Sequence, residues 1–190
     1  VISSLLILWV GWVVGWIYLH PESDLAPPPN LEPGDILFQE NGDKWGPWGY
    51  WNHVGLYVGD GVVIDCWTSQ GVVKRTLRGF YTDSQGAAAK RLATGEDKWW
   101  NKDGKREKII SDAIRYAQDQ VGKPYQLWPP IGKNRDDSEL NCGKLILLAY
   151  CHEPTWYINL DSNSDWLWTT PDDIYTSPYL EEVPCFEGVS

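Results

Sequence analysis

The first 19 residues, VISSLLILWVGWVVGWIYL, carry no charge and place apolar side chains on every face of a helix instead of along one stripe. At about 1.5 Å of rise per residue, a helix of this length nearly crosses a bilayer core, so the pattern predicts a transmembrane anchor over residues 1–19. The stretch is longer than the apolar region of a usual signal peptide, three tryptophans interrupt it, and no A-x-A-like cleavage site follows; an uncleaved anchor is expected. Periodicity then disappears. PESDLAPPPNLEP, residues 21–33, holds five prolines and reads as a semi-rigid spacer, which makes residues 20–30 a Pro-rich linker and residues 31–190 the folded domain.

Within that domain the first apolar runs are short and strand-like. PGDILF (33–38), HVGLYVG (53–59), VVIDCW (62–67) and GVVKRTL (71–77) read as strands, and the GDG between the second and third is a hairpin turn. The period then lengthens. EKIISDAIRYAQDQVG (107–122) sets Ile109, Ile110, Ala113, Ile114, Ala117 and Val121 at helical spacing and is closed by Gly122 and Pro124. KLILLAYC (144–151) predicts a second helix, opened near residues 139–142 and ended by Pro154. PDDIYTSPYLEEV has turn and edge-strand character. Strands that precede helices, with no internal repeat, fit an α+β fold better than a doubly wound sheet. Residues 91–106 are polar, bear tryptophan and have no period, as expected of a surface excursion.

Charge narrows the function. A net charge of −10 and a lack of clustered Lys and Arg argue against a nucleic-acid partner, which would need phosphates neutralised. After the expected span the flank is acidic, with no Lys or Arg before Lys44. That places the domain on the extracytoplasmic face, because cytoplasmic flanks are enriched in Lys and Arg. Cys66, Cys142, Cys151 and Cys185 show no CxxC pairing and have few histidine companions, so neither a metal nor another cofactor is expected.

Three residues suggest chemistry. His53 heads a strand, and the GDG turn would fold Asp65 back roughly abreast of it, where a carboxylate can accept the imidazole N–H and fix its tautomer. Cys142 stands between a polar loop and an apolar helix. A cysteine there lies at the positive end of the helix dipole, which favours its thiolate form, and the first-turn amides can hold an oxyanion. Taken singly, each has a plainer reading: Cys142 as a small buried hydrophobe, His53 as a core histidine, Asp65 as a turn cap. Cys66, Cys151 and Cys185 fit packing or disulfide roles, with Cys151–Cys185 the expected pair.

LEPGDILF, NHVGLYVGDGVVID, VGKPY, NCGKLILLAY and TPDDIYTSPYLEEV resemble, in that order, motifs of the circularly permuted papain-like (NlpC-type) cysteine peptidases and amidases, which include the YiiX-like proteins and relatives of lecithin:retinol acyltransferase. The resemblance covers roughly residues 31–183. It implies an antiparallel sheet with packed helices, Cys142 as nucleophile, His53 as base, Asp65 as the polar third residue, and Tyr125 bordering the substrate and oxyanion region. Asp35, in PGD, reads as a structural turn residue. Where family members commonly carry Ser after the nucleophile, this chain has Gly143, and no catalytic group is lost by the change.

The expectation is therefore a membrane-anchored thiol hydrolase acting by amide or ester acyl transfer on cell-wall peptides or lipids. Thirteen tryptophans support an alternative from another class, a non-enzymatic accessory subunit of a membrane complex that uses the domain as a docking body through Trp-rich surfaces. A non-catalytic ligand binder is a third reading, one that predicts no hydrogen-bonded Cys–His pair.

Overall fold

The computed structural model describes residues 30–42, 49–82, 84–126, 136–151, 158–163 and 169–183. The expected span over 1–19, nearly all of the linker, Cys185, and parts of the Trp-rich 156–168 stretch lie outside them. Among the described residues no helix is long and apolar enough to cross a membrane.

The chain order is β1 (Ile36–Glu40), β2 (His53–Gly59), β3 (Val62–Trp67), β4 (Gly71–Thr76), α1 (Leu77–Phe80), β5 (Gly86–Leu92), a 3₁₀ turn (Trp99–Asn101), α2 (Lys105–Asp119), α3 (Cys142–Cys151), α4 (Pro171–Tyr175) and β6 (Leu180–Glu182). The strands form a sheet in the order β4-β3-β2-β1-β5-β6, and each neighbouring pair is antiparallel. This is the mixed α+β arrangement with an antiparallel sheet that the strand-then-helix order implies.

The β2–β3 hairpin forms where the GDG turn predicts it. Asp60 (φ 52°) and Gly61 (φ 71°) both take left-handed backbone, as a two-residue hairpin turn matched to strand twist requires. A register shift between Tyr57 and Gly59 then sets Asp65 opposite Gly55. His53 and Asp65 are consequently diagonal neighbours instead of the abreast pair expected from counting residues. Without the extra residue Asp65 would stand opposite Leu56, on the other face from His53; the irregularity puts the two side chains on one face.

Both sheet faces are covered, which explains why β1 is buried at every position. Ile36, Phe38, Val54, Leu56, Ile64 and Cys66 join the main core with α2 and α3. Leu37, Val63, Phe80, Tyr81, Ala89 and Val183 form a second cluster. Helix α2 buries Ile109, Asp112, Ala113, Tyr116 and Ala117, a single stripe at helical period. By contrast α3 buries every residue from Gly143 to Cys151, as a central helix must.

Three local expectations change. The alanine-rich 86–92 segment carries no strong strand pattern, yet it pairs with β1 along Gly86–Lys90, so the supposed excursion from residue 91 begins inside β5. Of the Trp99–Trp100 pair in that excursion, Trp100 covers the core. Its ring is buried and its Nε1–H donates to the Ala93 carbonyl at 2.9 Å, while Trp99 stays 43% exposed. The PDDIY segment is a short helix: Thr170 and Asp173 form a reciprocal capping box and Pro171 occupies its first turn.

Candidate active site

His53, the first residue of β2, is 6% exposed. Its ring lies 4.6 Å from the Trp67 ring and 5.6 Å from that of Phe80, between centroids. Nε2 sits 2.9 Å from Asp65 Oδ2, and Asp65 is completely buried. Gly55 makes this meeting possible. A Cβ at residue 55 would come within 2.8 Å of Phe80 Cε2 and 3.2 Å of the Asp65 Cβ, so a side chain there would push the ring and the carboxylate apart.

The entry to β2 is pinned from a distance. Asp172, at the start of α4, accepts the Trp51 N–H at 3.2 Å through Oδ2, and Asn52 and Asn41 join through their side chains at 2.6 Å. These bonds fix the backbone immediately before His53.

Cys142 opens α3. Asn141 acts as the N-cap, its Oδ1 accepting the Lys144 N–H at 2.8 Å. The preceding residue is fixed as well: Leu140 forms a parallel bridge with Tyr125, receives the Gln126 N–H at 2.9 Å and accepts from Cys66 Sγ at 3.0 Å. Tyr125, and Cys66 from β3, thereby pin the segment that presents Cys142. Gly143 has a structural reason to be glycine, because a Cβ there would lie 2.1 Å from the Thr169 carbonyl oxygen.

The electrostatics join the parts. Burial, the largest single influence on His53, pulls its imidazole down; hydrogen bonds to Asp65 and to Cys142, with the charges of both, outweigh it and lift the ring to about 9. Since Nε2 is taken by Asp65, Nδ1 is the ring nitrogen left for the cysteine. Burial pushes the Cys66 thiol up, and the charges of Cys142 and then Asp65 push the same way. The Tyr125 hydroxyl is raised by burial and by the charge of Cys142. His53, Asp65, Cys142 and Tyr125 are thus one electrostatic neighbourhood. Cys66 is an inert neighbour of it, and Cys151 donates to the Ile158 carbonyl at 3.0 Å, away from that group. Asp35 behaves as a turn residue, accepting the Glu32 N–H at 2.8 Å and meeting the Arg91 guanidinium with both carboxylate oxygens.

Two side chains of the site carry no motif of their own. Trp67 donates its indole N–H to Asp65 Oδ2 at 2.5 Å, and Arg75 places Nε 3.5 Å from the same oxygen. The signal available in the sequence was parity: on adjacent antiparallel strands with this register, Asp65, Trp67 and Arg75 share a face. Among the described residues no group of three or more His, Cys, Asp and Glu is placed to hold a metal ion.

Residues 30–157 match the family model for the permuted papain-like amidase enzyme, YaeF/YiiX, C92 family. Among solved structures, the chain is similar to the crystal structure of metalloprotein yiiX from Escherichia coli O157:H7, with a TM-score of 0.60 and 14% identity, over 82% of this chain and 97% of that one. At that identity the likeness speaks for the fold. No curated protein matches the chain.

Proposed function

Because the chain belongs to the permuted papain-like amidase family typified by YaeF and YiiX, we propose that Cys142, His53 and Asp65 form its thiol acyl-transfer site. The observation that carries this reading is the buried His53–Asp65 bond of 2.9 Å, on a ring that also interacts with Cys142 at a capped helix start.

The Cys142 thiolate attacks an amide or ester carbonyl carbon. The resulting oxyanion is held by the first-turn amides of α3, with the Tyr125 hydroxyl bordering the reacting carbon. His53 gives its proton to the leaving amine or alcohol as the C–N or C–O bond breaks, leaving a thioester on Cys142. It then takes a proton from water, whose oxygen attacks the thioester; the acid leaves and the thiolate returns. Asp65 keeps Nε2 occupied throughout, so that Nδ1 faces the sulfur. The yiiX structure is described as a metalloprotein; among the described residues of this chain no group of three or more His, Cys, Asp and Glu is placed to hold a metal ion, and these steps use the chain's own side chains and backbone amides.

In this reading, residues 1–19 tether the enzyme to a membrane with its domain on the extracytoplasmic side, and the substrates are the amide-bearing peptides or ester-bearing lipids found there.

Iodoacetamide labelling of Cys142, followed by peptide mass spectrometry across pH, tests the site. Wild-type Cys142 should label rapidly at neutral pH, as a thiolate paired with an imidazole does, and His53→Ala should abolish the advantage. Equal, slow labelling in both proteins would remove the catalytic reading and favour an accessory subunit.

A further inference from the structure

The Asp65 carboxylate is oriented in an uneven way. Among the described residues its buried Oδ1 has no hydrogen-bond partner, whereas Oδ2 faces His53 Nε2 at 2.9 Å, the Trp67 indole N–H at 2.5 Å and Arg75 Nε at 3.5 Å. Everything that aims this carboxylate therefore acts through one oxygen. Indole and guanidinium groups only donate, so Oδ2 is an acceptor and the proton in the His53–Asp65 bond belongs to the ring. Arg75 also lies over the Trp67 ring, 4.5 Å from its centroid, and the other side of the arrangement is the His53 ring itself, 4.6 Å from Trp67. The order of contacts is Arg75 on Trp67, Trp67 on Asp65, Asp65 on His53.

We propose that Trp67 is a positioning residue of this site, its indole N–H fixing the Asp65 carboxylate against His53, and that Arg75 holds the indole in place. Without the indole, the Arg75 cation on the adjacent strand, 3.5 Å from Oδ2, competes with the His53 ring for that oxygen, and the carboxylate turns toward it and away from the ring. The proposal rests on the catalytic reading of His53 and Asp65, but it concerns the aim of the carboxylate and can be read separately.

Trp67→Phe keeps an aromatic ring beside His53 and removes the N–H. Arg75→Gln removes the stacked cation from a side chain at the border of the sheet. In ¹⁵N-histidine-labelled protein, simple to assign because the chain has three histidines, the His53 ring N–H bonded to Asp65 should give a downfield, slowly exchanging resonance. Asp65→Asn identifies it. The expected result is that this resonance moves upfield or is lost to exchange in Trp67→Phe, and shifts the same way by less in Arg75→Gln, with circular dichroism unchanged. Cys142 labelling at neutral pH should slow by about tenfold in Trp67→Phe, less than the roughly 10²–10⁴-fold that a fully lost acid–base group costs, because the ring is displaced and not removed. If Trp67→Phe does not fold, Arg75→Gln carries the test. An unchanged resonance in either folded variant overturns the role given to that residue, whatever its labelling rate. A resonance lost in Trp67→Phe, together with identical labelling of wild type and His53→Ala, would keep the positioning role and remove the catalytic one.

Discussion

Asp65 shows how one buried oxygen can decide the behaviour of a ring. It accepts from His53 and from Trp67 at hydrogen-bond distance, with Arg75 close by. An asparagine at this position would keep the shape, lose the charge, and confront one of the donors with another N–H. Asp65→Asn is therefore expected to lower kcat by about 10²-fold with little change in KM, since an orienting group acts in the transition state more than in binding. Steady-state kinetics on an amide or ester substrate would check it, and a KM effect of the same size would point to a binding role instead.

At the scale of elements, the start of α3 is where stability and chemistry meet. Asn141 caps it, the Tyr125–Leu140 bridge leads into it, and the Thr169 carbonyl lies across its first turn. That last contact leaves no room for a methyl group. Because the obstacle is backbone at 2.1 Å, not the end of a flexible side chain, Gly143→Ala should cost about 1–3 kcal/mol of stability and displace Cys142 from His53. Urea unfolding alongside Cys142 labelling would measure both. A variant as stable and as reactive as wild type would mean that the segment at Thr169, just before α4, can move aside freely. The same contact gives a physical reason why the residue after Cys142 is glycine in this chain.

For the whole molecule, the buried His53 couples the site to the fold. Its ring titrates at about 9 in the folded chain against 6.5 when free, since its bonds and charge interactions with Asp65 and Cys142 outweigh the opposing effect of burial. A folded value above the unfolded one means that the native state binds the proton more tightly. The stabilisation is thus fully present below pH 6.5 and is lost as pH rises through about 9. Denaturant midpoints for wild type and His53→Gln should therefore differ most below pH 6.5 and converge above about 9. A difference that grew with pH would have the wrong sign and would place a neutral ring in the fold.

The sequence by itself determined the parts that depend on local periodicity and local turn chemistry. The GDG hairpin, the helices around residues 107–122 and 144–151, and the α+β order all follow from apolar spacing and from what Asp and Gly do in a turn. His53, Asp65 and Cys142 were also legible, because a charged or nucleophilic side chain at the end of an apolar run stands out. Tertiary structure alone decided the rest. The GAAAKRL segment became a strand because β1 offered it a partner, and no propensity in the segment required that. Trp100 went inside because the Ala93 carbonyl could satisfy its N–H, which its polar neighbours in sequence do not reveal. Gly55, Asp172, Trp67 and Arg75 gained their places at the site from pairing register and long-range contacts. Periodicity says which face a side chain takes; only the packed sheet and helices determine what it meets there.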